Sequence, residues 1–253
     1  MLMFGTLYSG IGGADLALSQ MGLRCAFQVE RDPVKRRVLE HWWPGVSRFD
    51  DLGALNHVLH GLGLLVPDVL HTEPQNALPE HVDPVLDFVG QTLPRLLIVD
   101  VATGRESVAY DRIGTRLCEA GYRVECRVAQ YGTSGVTLRD WRVVASEPRS
   151  RALYFARRDL LPAVEEAGVG ALRLGPAETE QTLSADEPNM TPTDLEVARG
   201  FPPGWSSTAC EDYGPRRLDH RCDARVRALR EATSPYFAQW CVSLILAPAP
   251  RPS

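Results

Sequence analysis

A chain of 253 residues with 44% hydrophobic content can bury a full core, as one large α/β domain or a domain with a small appendage. Its net charge of −5 is the wrong sign for strong, non-specific nucleic-acid binding. Apolar runs such as 62–66 and 96–99 are far too short to span a bilayer, and residues 1–4 lack the basic region of a secretory leader.

The first hundred residues alternate short apolar runs with helical patterns, the signature of βαβ units. Residues 3–8 read as a strand, and 12–21 as a helix closed by Gly22. A second strand at 24–30 leads to Pro33, which opens a helix to about Trp43. A strand at 68–71, a helix at 81–92 and a strand at 95–101 follow. The helix at 109–120 ends at Gly121, before a strand at 122–130. Segments 141–145 and 152–157 read as paired strands, and 160–189 as a loop-rich insertion. Thr191-Pro192, with Asp194 three positions after the threonine, starts a helix over 191–199. Residues 235–247 form a strongly apolar helix expected to pack back onto the core. The expected architecture is a mostly parallel, doubly wound sheet with helices on both faces and a ligand at the strand carboxyl ends.

Six cysteines (Cys25, Cys118, Cys126, Cys210, Cys222 and Cys241) are scattered with no Cys-x-x-Cys pair. That spacing argues against a zinc site and against a disulfide framework, and for a reducing cytoplasm. Cys25 and Cys118 read as packed interior thiols. Lys35 is the only lysine, a bias that suits a GC-rich bacterial or phage genome.

The sharpest local feature is Tyr8-Ser9-Gly10-Ile11-Gly12-Gly13, between a strand and a helix. So tight a turn needs residues without Cβ, and it lets a ligand approach backbone N–H groups at a helix N-terminus. Twenty residues on, Glu30 ends the second strand, where a carboxylate can accept both ribose hydroxyls of a nucleotide. Asp50 and Asp51 follow at the end of a third strand, placed to meet an adenine amino group.

From Phe4 to Leu18 the sequence resembles the opening motif of DNA cytosine-C5 methyltransferases, whose loop cradles the methionine end of S-adenosylmethionine. Val29-Glu30-Arg31-Asp32-Pro33 is similar to the next motif, in which the Glu holds the ribose and the following residue covers the adenine. Phe49-Asp50-Asp51-Leu52 resembles the acidic motif at the adenine edge. Thr191-Pro192 through Gly200-Phe201-Pro202-Pro203-Gly204-Trp205 is similar to the penultimate motif. Arg227-Ala228-Leu229 and Ser234-Pro235 through Trp240 resemble the last. The resemblance implies a Rossmann-like fold that binds S-adenosylmethionine or S-adenosylhomocysteine. Its pocket would be formed by Tyr8 to Gly13, Glu30, Arg31, Asp50, Asp51 and Pro74. It also implies three parts: a cofactor-binding domain over 1–158, a short remnant of the target-recognition region over 159–190, and a returning segment over 191–253.

The family's chemistry does not follow. Bond formation at cytosine C5 needs a thiolate on C6, which the family carries in a Pro-Cys-Gln loop. Here the segment reads Thr72-Glu73-Pro74-Gln75-Asn76, so Gln75 stands at that place if the prolines align, or Asn76 if the strand does. The acid expected at the end of the next strand is Val99, with Asp100 at the neighbouring Asn position; a slip of one residue would bring Asp100 to the acid's place. The arginine motif is worn to Arg149 and Arg151, and the closing Gly-Asn of the last motif has become Arg230-Glu231. Arg149, Arg151, Arg216, Arg217 and Arg221 could meet phosphates or an acidic partner, although such clusters are more often solvated faces. The 159–190 segment is short and acidic, too small to grip both strands around a flipped base.

Two readings stay open. One is a catalytically inactive pseudoenzyme that binds S-adenosylmethionine, regulates, and partners an active methyltransferase, with at most weak DNA binding. The other is an active transferase using non-cysteine chemistry on DNA or another nucleotide-containing acceptor. A plain dehydrogenase-type dinucleotide domain would make the C-terminal matches coincidences.

Overall fold

The computed structural model describes residues 1–62, 66–74, 79–102, 108–131, 136–138, 141–143, 149–157, 190–210 and 222–246. In chain order they form β1 (Met3–Leu7), α1 (Gly13–Gln20), β2 (Arg24–Val29), α2 (Pro33–Trp42), β3 (Ser47–Phe49), α3 (Leu52–Leu62), β4 (Val69–Thr72), α4 (Pro79–Thr92) and β5 (Leu96–Ala102). There follow α5 (Val108–Glu119), β6 (Arg123–Tyr131), β7 (Val136–Leu138), β8 (Trp141–Val143), β9 (Arg149–Arg157), α6 (Pro192–Ala198), α7 (Asp223–Glu231) and α8 (Pro235–Leu246).

One seven-stranded sheet runs in the order β3-β2-β1-β4-β5-β9-β6. Its first five strands are parallel, and β9 alone runs against its neighbours β5 and β6. The chain steps outward from β1 to β3 and then restarts at β4 on the other side of β1. That reversal opens a crevice at the carboxyl ends of β1 and β4, the usual ligand position in a doubly wound sheet.

Strand alternation sends successive side chains to opposite faces. Leu7, Phe27, Leu70, Leu97 and Val99 join Leu52 and Leu55 of α3, Val85 and Val89 of α4 and Ile113 of α5 in one core. On the other face Phe4, Val69 and Ile98 meet Leu18 of α1 and Phe237 and Val242 of α8. The two alanine-faced helices α1 and α8 touch through Ala14, Ala17 and Ala238, small residues that permit a close approach. The last helix thus returns to the sheet beside the first.

Three expectations are corrected. The segments around 141–145 and 152–157 do not pair with each other: β8 pairs with β7 in a separate two-stranded ribbon, while β9 enters the main sheet. The pairing failed because adjacency in sequence favours a hairpin, whereas β9 gains a slot with partners on both sides. Cys118 is exposed on α5, the helix turning it outward while Leu117 packs in the core. Cys210 and Cys222 form a disulfide across a separation of 12 residues, without the short spacing that sequence reading looks for. The short 3-10 helix Ser207–Ala209 precedes one cysteine, and the other caps α7. We expect both to resist alkylation until a reductant is added, as read by peptide mapping; labelling without reductant would contradict the pairing.

Candidate functional site

The glycine turn leaves β1 with Tyr8 in the left-handed region at φ 59°, and Gly10 and Gly12 at φ 59° and 88°. Ser9 N donates to Val29 O at 3.0 Å and Gly12 N to Ser9 O at 2.9 Å, fastening the turn to the end of β2. The glycines answer different needs. A Cβ on Gly10 would meet nothing within 4 Å, so the loop faces open space there. On Gly12 it would strike the Trp43 ring at 2.6 Å, and on Gly13 the Thr233 carbonyl oxygen at 2.0 Å. The turn before α8 therefore sits directly on the start of α1. A Gly13→Ala substitution must push backbone against backbone, and we expect a loss of about 1–3 kcal/mol, measured by urea unfolding.

Tryptophans close the back of this turn. Buried Ile11 gives its carbonyl to Trp205 Nε1 at 2.8 Å. Trp205 stacks on Trp42 with ring centroids 4.4 Å apart, and Trp42 Nε1 donates to Trp205 O at 2.9 Å. The Gly200–Trp205 segment is thereby held against the glycine loop from 194 residues away in sequence.

Glu30 lies at the carboxyl end of β2 and is buried. One carboxylate oxygen accepts from Gly10 N and the other from Asp32 N, each at 2.8 Å. Burial pushes its carboxyl upward from the usual range, while the Asp32 and Gly10 amides and the Lys35 charge hold it back. Each oxygen retains a second lone pair for a hydroxyl donor. Lys35 bonds Glu231 at 2.7 Å, tying α2 to the end of α7. Burial would lower this ammonium, but Glu231 and the charge of Glu30 outweigh it and raise it. Arg31 is exposed beside the site.

Asp50 and Asp51 each have a partner on the protein. Asp50 is exposed and paired with Arg36. Asp51 Oδ1 accepts from Ala54 N at 2.8 Å, as the cap of α3. Pro74 is buried just beyond β4, and its neighbour Glu73 accepts a hydrogen bond from Thr233 Oγ1. Gln75 and Asn76 lie outside the described residues.

The register Thr72↔Val99 sets the end of β4 level with the expected acid position on β5. Val99 is fully buried in the core with Val85, Val89 and Ile113, so it has no access to the crevice. Asp100, on the opposite face, is also buried. The backbones of Arg149 and Arg151 lie in β9, opposite Tyr131 and Ala102 respectively. Arg216, Arg217 and Arg221 lie outside the described residues, as does the whole 159–189 stretch. Among the described residues no three His, Cys, Asp or Glu are grouped to hold a metal ion, and no helix is long and apolar enough to cross a membrane.

Two polar networks escape the motif reading. Beneath the loop, buried Asp15 accepts from Thr6 Oγ1 at 2.9 Å and Gln28 Nε2 at 2.8 Å. Beside the Trp205 segment, Glu196 and Arg225 form a fully buried ion pair at 2.8 Å. The first was detectable in principle: Thr6, Gln28 and His71 share one parity on neighbouring strands, in register Thr6↔Gln28 and Thr6↔His71. The second has no local signal, since its members lie 29 residues apart across a segment without pattern.

No family model matches the chain. A rice (Oryza sativa subsp. japonica) protein described as a probable inactive DNA (cytosine-5)-methyltransferase, DRM3, is 34% identical over 55 residues, which is 21% of this chain and only 8% of that protein. The crystal structure of the S. pombe Dnmt2 methyltransferase superposes with a TM-score of 0.64 at 14% identity, covering 97% of this chain and 98% of that one. The Entamoeba histolytica methyltransferase EhMeth gives 0.61 at 11% identity, with the same coverage of both chains. The superposition extends over nearly the whole chain, which shares its Rossmann-like fold with these two methyltransferase structures.

Proposed function

We propose that this protein is a degenerate relative of the DNA cytosine-C5 methyltransferases that binds S-adenosylmethionine and does not methylate cytosine C5. The observation that carries the reading is a contrast within one crevice. The carboxylate of Glu30 stands at the loop end of β2, while Val99, at the acid's place, is sealed in the core.

The residues present fit the cofactor. The open side of Gly10 leaves room for the methionine end along Tyr8–Gly13. The remaining lone pairs of Glu30 suit the ribose hydroxyls, with Arg31 covering the adenine and Pro74 completing the pocket beyond β4. Asp50 and Asp51 each use one carboxylate oxygen, on Arg36 and on the α3 cap, which leaves the other oxygen as an acceptor for the adenine edge. When bound, S-adenosylmethionine supplies an electrophilic methyl group. What this chain lacks is the means to prepare a cytosine for it: Gln75 or Asn76 replaces the thiolate, and neither amide is a comparable nucleophile.

The fitting role is binding or regulation, as partner of an active methyltransferase, with weak DNA contact through Arg149, Arg151 and the 216–221 arginines. The Cys210–Cys222 disulfide removes the cysteine-based ground for a reducing cytoplasm. The acidic 159–190 segment stands in place of a recognition region and supports the same view. The test is transfer of labelled methyl groups from S-adenosylmethionine to DNA, RNA and nucleotides at saturating cofactor. We expect no label in cytosine C5. Transfer to any acceptor that disappears in Glu30→Ala would overturn the inactive reading in favour of altered, non-cysteine chemistry.

A further inference from the structure

Asp15 is fully buried in the first turn of α1, two residues after Gly13, and it is connected to the glycine loop through a chain of hydroxyls. Thr6 Oγ1 donates to Asp15 Oδ1 at 2.9 Å, and Thr6 Oγ1 and Ser9 Oγ lie 2.7 Å apart. A hydroxyl has a single proton. With Asp15 ionised, the Thr6 proton points to the carboxylate and the Ser9 proton to Thr6. Ser9 Oγ, half-buried in the turn, is then left as an acceptor only. With Asp15 protonated, the order reverses. Asp15 Oδ2 has no hydrogen-bond partner, so the acid proton is best held on Oδ1, facing Thr6. Thr6 then donates to Ser9, whose own proton is left for Thr6 O at 3.4 Å, Val29 O at 3.3 Å, or a ligand.

We propose that Asp15 is a positioning residue for the cofactor loop: its charge state sets, through Thr6, whether Ser9 accepts or donates toward the methionine end of S-adenosylmethionine. This rests on the cofactor reading above. An ionised Asp15 leaves Ser9 an acceptor for the ligand's ammonium group, and its negative charge favours the cationic ligand, so affinity is higher when Asp15 is ionised.

The surroundings allow the switch to work near neutral pH. Burial drives the Asp15 carboxyl up to about 6, against the hydrogen bonds from Gln28 and Thr6, its backbone bond and the charge of Arg48. The groups facing it are few. From β2, Cys25 Sγ lies 3.9 Å from Oδ1, a thiol that burial and the Asp15 charge hold protonated. From β3 comes the charge of Arg48, and on β4 His71 is level with Thr6. On the helix side α8 carries no Asp, Glu, Lys, Arg or His. Because the folded-state value lies above the usual 3.8, the native state gains from protonation. That contribution is full below the unfolded value and is lost as the pH rises through about 6.

The experiment follows the Ser9 and Gly10 amide resonances of the ligand-free protein from about pH 5 to 8, in the wild type, Asp15→Asn and Thr6→Val, with S-adenosylmethionine affinity measured over the same range. Gly10 N, bonded to Glu30, also reports that carboxylate, whereas we expect the Ser9 amide to follow a titration near pH 6 that is lost in both variants. Affinity should rise about 3- to 10-fold through it, the worth of one hydrogen bond. It should stay flat in Asp15→Asn. A Ser9 amide titration that persists unchanged in Asp15→Asn, or that never occurs, would overturn the inference. So would affinity that ignores the transition. If no ligand binds at any pH, the cofactor reading fails by itself, while the amide titration still decides whether Asp15 governs the loop.

Discussion

Replacing Glu30 with alanine is expected to weaken S-adenosylmethionine binding at least about 100-fold, because the carboxylate has two tasks. As a ligand group it would accept the ribose hydroxyls, and hydrogen bonds to a charged acceptor contribute about 1.5–3 kcal/mol each. As a brace it already receives Gly10 N and Asp32 N, so its removal also unfastens the loop from the start of α2. Glu30→Gln separates the tasks. One amide oxygen can still accept, but the amide nitrogen then faces a backbone N–H donor. We expect its affinity to fall between those of wild type and alanine, by equilibrium dialysis with labelled cofactor. Equal affinity in all three proteins would place the ligand elsewhere.

The largest stability effect is expected at the Glu196–Arg225 pair, whose side chains are 0% and 1% exposed. Glu196 Oε1 accepts from Arg225 Nη2 at 2.8 Å, Ser206 N at 2.7 Å and Ser206 Oγ at 2.5 Å. Its Oε2 accepts from Gly204 N at 2.5 Å, and Arg225 Nε donates to Ser206 Oγ at 2.9 Å. One carboxylate thus organises the Gly204–Ser206 backbone that carries Trp205 to the glycine loop. Arg225→Ala would strand a buried negative charge, a loss of about 3–5 kcal/mol in chemical denaturation. Replacing both partners by apolar residues of similar volume should recover much of that loss, since desolvation of the pair is then avoided. The double variant would still leave Gly204 N and Ser206 N without their acceptor, so the Trp205 segment should loosen even where global stability returns.

The fold was legible wherever local chemistry and tertiary role coincide. The β1–Gly turn–α1 unit announces itself because glycines, strand parity and a helical stripe fall together within residues 3–21. The α6 start is equally plain: Thr191 and Asp194 form the capping box their spacing predicts. Helix α3 is not announced, because Gly53 and Gly61 interrupt a pattern that Leu52 and Leu55 satisfy only by packing on the sheet. The misassigned β9 shows the limit of pairing by proximity, since its partners β5 and β6 are chosen by the sheet edge and not by the nearest strand. In the site, the glycine loop and Glu30 were readable as a motif. The Asp15–Thr6–Ser9 chain was not, because its meaning depends on α1 laying one carboxylate over two strands. Asp50 carries a contact that its motif position does not announce, a surface ion pair with Arg36.

The measurement that bears most directly on the account is calorimetric titration of the purified wild-type protein with S-adenosylmethionine. Saturable binding at a single site is the expected result, since the loop, Glu30 and the Trp205 brace are all in place. Absence of binding up to millimolar ligand, in a protein that remains folded, would contradict it. The cofactor motifs would then be relics, and the function would have to lie on the surface of the scaffold.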